Sequence, residues 1–158
     1  MKKTPPITLF SAVFGIVLLL VAGNLFVKNY LKPTEVLYNG TIEVPTIKNP
    51  VEVYFDSYGV PHIFATNDDD MFFVAGYVGA RDRLFQMAFM KYTYTGQLSR
   101  VVNDTLFAED KFLRTLGFET IAKKSLEKVP KEFLSYLEKT CQGINTYAQS
   151  LSPSEYPL

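Results

Sequence analysis

The chain has 158 residues, with 16 Lys plus Arg against 16 Asp plus Glu, one His, one Cys, no Trp, 13 Phe and 10 Tyr. Such a length holds one domain of roughly 100–200 residues, which excludes a complete multidomain enzyme, and balanced charge leaves no excess of Lys and Arg to neutralise nucleic-acid phosphates. A single Cys excludes an internal disulfide framework or a thiolate zinc cage, while 47% apolar and 20% charged residues suit a folded chain better than a disordered or collagen-like one.

Charge divides the chain. Residues 1–30 hold Lys2, Lys3 and Lys28 and no acid, which leaves 13 bases against 16 acids in residues 31–158. Residues 1–6 form a basic cytoplasmic tip. Residues 7–27 then carry no charge for 21 positions, broken only by Thr8, Ser11, Gly15, Gly23 and Asn24. As a helix this run is about 30 Å long, the thickness of a bilayer core. Lys2 and Lys3 before it stay cytoplasmic by the positive-inside rule, which sends the body across the membrane. The run predicts a single-pass anchor in the cell membrane with an extracytoplasmic, periplasmic or extracellular body. The alternative is a signal peptide cleaved near Val21-Ala22-Gly23 and a secreted body, but the run exceeds the 7–15 residues typical of a signal core. Gly15 and Gly23 are spaced too far apart for a GxxxG dimer motif.

Residues 28–50 contain Pro33, Pro45 and Pro50 with Asn39-Gly40. They read as a linker with a small strand near residues 40–44. The body begins at residue 51. Val51-Glu-Val-Tyr-Phe-Asp56 and Val60-Pro-His-Ile-Phe-Ala65 are rich in β-branched and aromatic residues on either side of Ser57-Tyr-Gly59, the pattern of a hairpin. Asn67-Asp68-Asp69-Asp70 precedes an apolar-periodic run and suits the free N–H groups of a first helical turn. The same acids lack the spacing of a calcium-binding EF-hand loop.

The helix that follows is predicted to reach Tyr92, with Phe73, Tyr77, Ala80, Leu84 and Met87 along one stripe. Gly76 and Gly79 each cost about 1 kcal/mol in a helix relative to Ala and imply a closely packed neighbour. Arg81-Asp82-Arg83 in an apolar setting implies a structural ion-pair network rather than catalysis. Residues 96–117 read as turn, short helix, loop and helix, with Asp110 and Arg114 spaced for an i,i+4 pair. Further helices cover residues 119–129 and 131–151. The apolar face of the last comprises Phe133, Leu137, Cys141, Ile144, Ala148 and Leu151, which makes Cys141 a buried small hydrophobe.

Any Ser/His/Asp or Cys/His constellation would need His62, the single histidine, which sits in a strand after Pro61. A packed or hydrogen-bonded structural role outweighs a His62-dependent hydrolase. Cys141 on a helix stripe is a poor nucleophile, because reactivity needs exposure and a lowered pKa. There is no P-loop, HExxH, GxSxG or dinucleotide fingerprint. Asn39-Gly-Thr41 and Asn103-Asp-Thr105 match the glycosylation pattern, which is common by chance. No catalytic, cofactor-binding or metal-ligating residue is assigned.

Five ordered blocks carry more information together than singly: Asp56-Ser-Tyr-Gly-Val-Pro-His-Ile63, Gly76-Tyr-Val-Gly-Ala-Arg-Asp-Arg-Leu-Phe-Gln-Met87, Gly96-Gln-Leu-Ser99, Asp110-Lys-Phe-Leu-Arg-Thr-Leu-Gly117 and Gly143-Ile-Asn-Thr-Tyr147. Their order and spacing across residues 51–158 resemble the N-terminal, α-chain part of the penicillin acylase (penicillin amidase) family. The resemblance implies an α+β chain: a transmembrane or signal helix, then a mainly helical fragment with a β-hairpin belonging to an αββα N-terminal nucleophile hydrolase.

It also implies a self-cleaving precursor. The new N-terminal Ser of its β chain attacks an amide carbonyl with its own α-amino group as base, and backbone and Asn donors hold the oxyanion. Implied substrates are β-lactam side-chain amides, acyl-homoserine lactones and similar N-acyl compounds. Calcium is the implied ion, with ligands outside residues 1–158. The implied partners are the remainder of the α chain and the β chain. The Ser-Asn-x-Trp start of that β chain has no counterpart here, so the sequence is expected to be a truncated α-chain portion, inactive alone. The competing expectation is a non-catalytic, membrane-tethered helical module that binds a partner.

Overall fold

The computed structural model describes residues 7–30, 39–153, 155 and 156. The chain falls into two units, residues 1–41 and 42–158. In the first, helix α1 (Ile7–Tyr30) extends three residues beyond the uncharged run and ends with Lys28 in its last turn. Its side chains from Ser11 to Lys28 are all exposed, and by length and composition it can cross a membrane. The expected tip, residues 1–6, lies outside the described residues.

The second unit is mainly helical with one small antiparallel sheet. Strands β1 (Glu52–Phe55) and β2 (Pro61–Phe64) pair Glu52 with Phe64, Val53 with Ile63, Tyr54 with His62 and Phe55 with Pro61. Alternation directs Val53, Phe55 and Ile63 toward the core and leaves Glu52, Tyr54, His62 and Phe64 exposed. Gly59 takes φ +76° in the turn, a conformation that suits a residue without Cβ. Asp56 closes the turn by accepting from the amides of Tyr58 and Val60 at 2.8 and 2.9 Å.

The small strand expected near residues 40–44 does not form. The segment has no partner strand, Gly40 sits at φ +137°, and Val44 instead accepts from the amide of Ile47 in a turn at 3.1 Å. Val44, Ile47 and Val51 pack against the core, so residues assigned to a linker belong to the folded unit.

Helix α2 (Asp68–Tyr94) is the hub. Asn67 caps it, accepting from the amide of Asp70 at 2.9 Å, as the acidic run predicts. Phe73, Val74 and Val78 form the buried core under the hairpin. Arg83, at φ −136° and ψ 20°, kinks the helix, which runs two residues beyond the expected end at Tyr92. Beyond it lie α3 (Leu98–Val101), a 3-10 turn (Asp104–Leu106), α4 (Phe107–Leu116), α5 (Phe118–Leu126) and α6 (Lys131–Ser150).

Helix α6 packs on α2 at very close range. A Cβ on Gly76 would overlap the Thr140 carbonyl, and one on Gly143 would overlap the Phe73 carbonyl. Gly76 therefore has the close neighbour its cost implies; Gly79 meets nothing nearer than Met87 Cε at 3.5 Å. Stacked Phe72 and Tyr136, with centroids 4.4 Å apart, and edge-on Tyr77 and Tyr147, at 5.4 Å, flank the glycines.

The side chains facing α2 are thus Tyr136, Gly143 and Tyr147, not the predicted stripe. Phe133 and Leu137 are 57% and 48% exposed and Cys141 is exposed. The expectation of a buried Cys141 is corrected: small residues on a neighbouring stripe let the helix backbones approach, and the larger apolar side chains turn away.

Candidate functional site

Two buried carboxylates organise the unit. Asp70, 3% exposed, accepts from the amides of Lys48 and Asn49 at 3.1 and 3.0 Å and from Asn67 Nδ2 at 2.6 Å. The Asn67 hydrogen bond, opposed by burial and reinforced by the two amides, holds its carboxyl below the ordinary range. Asp110, also 3% exposed, accepts from the amides of Leu98 and Ser99 at 2.9 and 2.8 Å. Burial works against its ionisation, but hydrogen bonds from Ser99 and Leu98 and the charge of Arg114 outweigh that and hold the carboxyl low.

Asp70 ties two consecutive amides of an irregular segment to α2, and Asp110 ties the first two amides of α3 to α4, a charge-assisted arrangement stronger than neutral hydrogen bonds. Arg114 completes the second tie by donating from Nε to the Gly96 carbonyl at 2.7 Å. Asp110 and Arg114 therefore do not form the predicted direct pair; Asp110 holds the first turn of α3 and Arg114 holds Gly96 just before it. The sequence carried a usable signal, since Asp110 lies on a stripe with Leu106, Leu113 and Gly117, an apolar face that a lone carboxylate enters only when satisfied.

The remaining candidates resolve as follows. Arg81, with a side chain 12% exposed, donates to Asp82 at 3.2 Å and lies 4.7 Å from the Phe55 ring centroid. Arg83 reaches Gln86 at 3.5 Å. Among the described residues the expected ion-pair network is thus reduced to one pair between neighbours, with Asp82 and Arg83 exposed rather than in an apolar setting. His62 is exposed on the hairpin, its Nε2 3.5 Å from Asp56. That carboxylate already serves the turn, and its pKa is lowered first by the Val60 amide and further by the Tyr58 amide and His62, against the effect of burial. The pair is a turn lock.

An open cleft of about 600 Å³ is lined by Lys48, Asn49, Asn67, Asp68, Asp69 and Tyr136. Tyr136 donates to Asp68 at 3.0 Å and to Glu132 at 3.2 Å. The Asp68 hydrogen bond is the main cause that pushes its phenol up to about 12, so Tyr136 is a neutral donor. Asp69 lies 3.5 Å from Lys48 and 3.9 Å from Lys139. Every carboxylate of the run is thus occupied by an amide, a phenol or an ammonium group. Among the described residues no group of three or more His, Cys, Asp and Glu side chains gathers around a metal position. Calcium thus has no ligand set among the described residues.

The described geometry is therefore scaffolding: a hairpin and a helix pair held by two carboxylate ties. It is this scaffold that known proteins share. The penicillin amidase profile matches residues 50–158. The chain is 30% identical over 115 residues to the penicillin acylase 2 proenzyme of a Pseudomonas species, covering 73% of this chain and 15% of that protein. It is 26% identical over 109 residues to an acyl-homoserine lactone acylase of Pseudomonas aeruginosa, covering 69% and 13%. The structure of the thermostable penicillin G acylase from Alcaligenes faecalis matches with a TM-score of 0.56 at 29% identity, over 63% of this chain and 53% of that one. The chain spans 15% and 13% of the length of those two relatives. With more than half of its residues matched in one continuous block, the chain belongs to the penicillin amidase family.

Proposed function

We propose that this chain is the N-terminal portion of an exported acylase precursor that hydrolyses N-acyl amide bonds, anchored to or secreted across a membrane by residues 7–27. The continuous family match over residues 50–158 carries the reading. The exposed, uncharged helix α1 behind Lys2 and Lys3 supports export.

The chemistry proposed for the whole protein is acyl transfer. A Ser at the N-terminus of a chain released by self-cleavage attacks the amide carbonyl through Oγ while its α-amino group takes the hydroxyl proton. The tetrahedral oxyanion is held by donors, the proton passes to the leaving amine as the C–N bond breaks, and water then cleaves the acyl ester. Those groups lie outside residues 1–158. This chain supplies a part of the αββα scaffold, with α2 carrying the hairpin on one side and α6 on another. Relatives named for penicillin and for acyl-homoserine lactones support a substrate that is a small N-acyl compound.

The test is to express the coding sequence through its continuation and to measure amine release from chromogenic N-acyl anilides with aromatic and long aliphatic acyl groups, and from N-acyl homoserine lactones. The longer protein should hydrolyse at least one class, and residues 1–158 alone none. A purified, self-cleaved longer protein inert toward all of them would refute the reading in favour of a tethered binding module.

A further inference from the structure

Helix α5 is amphipathic, with Phe118, Ile121, Ala122 and Leu126 at the i, i+3, i+4 and i+8 positions of one stripe. Every residue of the helix is exposed. Only its start is tied down by what the structure shows: Phe118 meets Tyr94 edge-on at 5.4 Å, and the left-handed Gly117 joins α5 to α4. The polar side is basic. Residues 118–131 hold Lys123, Lys124, Lys128 and Lys131 against Glu119 and Glu127, while the rest of residues 31–158 holds nine bases against 14 acids. Glu119 is taken by Lys123 at 2.7 Å. Among the described residues no acid lies within ion-pair reach of Lys124, Lys128 or Lys131.

We propose that α5 lies on an anionic phospholipid surface, with Ile121 and Leu126 at the boundary of the acyl region and Lys124, Lys128 and Lys131 among the phosphates. Two observations select this occupant. The composition is that of an interfacial helix, with Lys on one side and Phe, Ile and Leu on the other, whereas the cores of protein interfaces are depleted of Lys. A bilayer is also at hand, because α1 can cross one by length and composition. Tethering raises the effective concentration of the body at that surface, so a weak contact suffices. The proposal rests on the export reading for its tether and is independent of the acyl chemistry.

The lysines themselves report the outcome. The longer protein is mixed with vesicles of phosphatidylcholine, alone or with phosphatidylglycerol added, and treated with an amine-acetylating ester; the rate at each Lys is read by peptide mass spectrometry. Lys48 and Lys139, both near Asp69 at the start of α2, are the references. Added phosphatidylglycerol should slow Lys124, Lys128 and Lys131 about fivefold relative to them, the factor that about 1 kcal/mol per Lys represents, and high salt should restore the rates. An Ile121→Asp variant, changed at an exposed position, keeps the lysines and should lose the slowing; slowing that persists unchanged would mean diffuse attraction and overturn the proposal. Equal rates in the two vesicles would overturn it too. Slow rates in both would assign the stripe to protein, whether a second copy or the continuation of the chain, with the same result. Flotation with phosphatidylcholine vesicles reports α1 alone. A protein that stays in solution there refutes the anchor, while slowing by phosphatidylglycerol still upholds the contact of α5.

Discussion

Replacing Gly143 with Ala probes the distance between α2 and α6. A Cβ there would overlap the Phe73 carbonyl and stand 2.8 Å from the Tyr77 amide nitrogen. Both atoms are backbone, so no rotamer change relieves the contact and the helices must separate. Ala is favoured over Gly in a helix by about 1 kcal/mol, while overpacking costs about 1–3 kcal/mol and more where the surroundings cannot yield. With overpacking at its upper end of about 3 kcal/mol, because both contacts are backbone, the net expectation is a loss of about 2 kcal/mol. Gly79→Ala supplies the opposite sign in the same helix pair. Its nearest neighbour would be Met87 Cε at 3.5 Å, an ordinary contact, so the propensity gain of up to about 1 kcal/mol remains. Urea denaturation followed by circular dichroism, with all variants compared at constant slope, measures both. Gly76→Ala meets the Thr140 carbonyl in the same interface. One separation of the helices relieves both overlaps, so the Gly76→Ala/Gly143→Ala double variant should lose less than the sum of the singles. A Gly143→Ala protein with a midpoint at or above the parent, or a Gly79→Ala protein below it, would refute the close-packing argument.

Phe73, 2% exposed at the centre of the core, should cost about 3–5 kcal/mol when truncated to Ala, measured in the same assay. Asn67→Ala removes the cap of α2 and should cost about 1 kcal/mol; an unchanged midpoint would mean that Asp70 alone fixes the helix start. The carboxyls of Asp70 and Asp110 are held below their ordinary range in the folded chain, so the unfolded chain binds more protons as the solution is acidified. Their contribution is present above an unfolded value of about 3.9 and is lost as pH falls through the lower folded values. Asp110→Asn should lower the midpoint at pH 7 and flatten its decline below about pH 4, near that unfolded value; a decline as steep as the parent's would show that Asp110 is not among the titrating groups.

Short-range rules read the hairpin, the Asn67 cap and the close-packed Gly76 correctly, because each depends on a few neighbouring residues. β-Branched runs around a Gly turn, a polar side chain before an apolar period, and a glycine that a helix tolerates only for a reason are all local signals. What escaped was three-dimensional choice. Helix α6 has two candidate faces, a larger apolar stripe and a stripe with Gly143 between two tyrosines. Periodicity favours the first, but the opposing Gly76 makes the second the one that allows backbones to meet. Likewise the i,i+4 spacing of Asp110 and Arg114 suggested a pair, whereas two unpaired amides at Leu98 and Ser99 and the Gly96 carbonyl are closer to the needs of those charges. Residues 44–49 were legible as irregular but not as anchored, because the anchor, Asp70, lies more than 20 positions away. The chemistry of the family was legible only through five blocks in order, since those blocks build scaffold.

This division between scaffold and chemistry explains an otherwise odd surface. Phe107, Phe112, Leu116 and Ile121 on α4 and α5 are 68%, 63%, 45% and 56% exposed, yet both helices are held firmly at their junctions. Asp110 fastens α4 to the first amides of α3 and Arg114 fastens it to Gly96 before α3, and Gly117 at φ +73° makes the turn into α5. Helices of ten and nine residues are too short to persist in water on propensity alone and ordinarily depend on burial of an amphipathic face. Polar ties at the ends fix where α4 sits and leave the apolar face free. On this argument the two buried aspartates act by position: Asp70 holds the 48–49 segment on α2 and Asp110 holds α3 on α4.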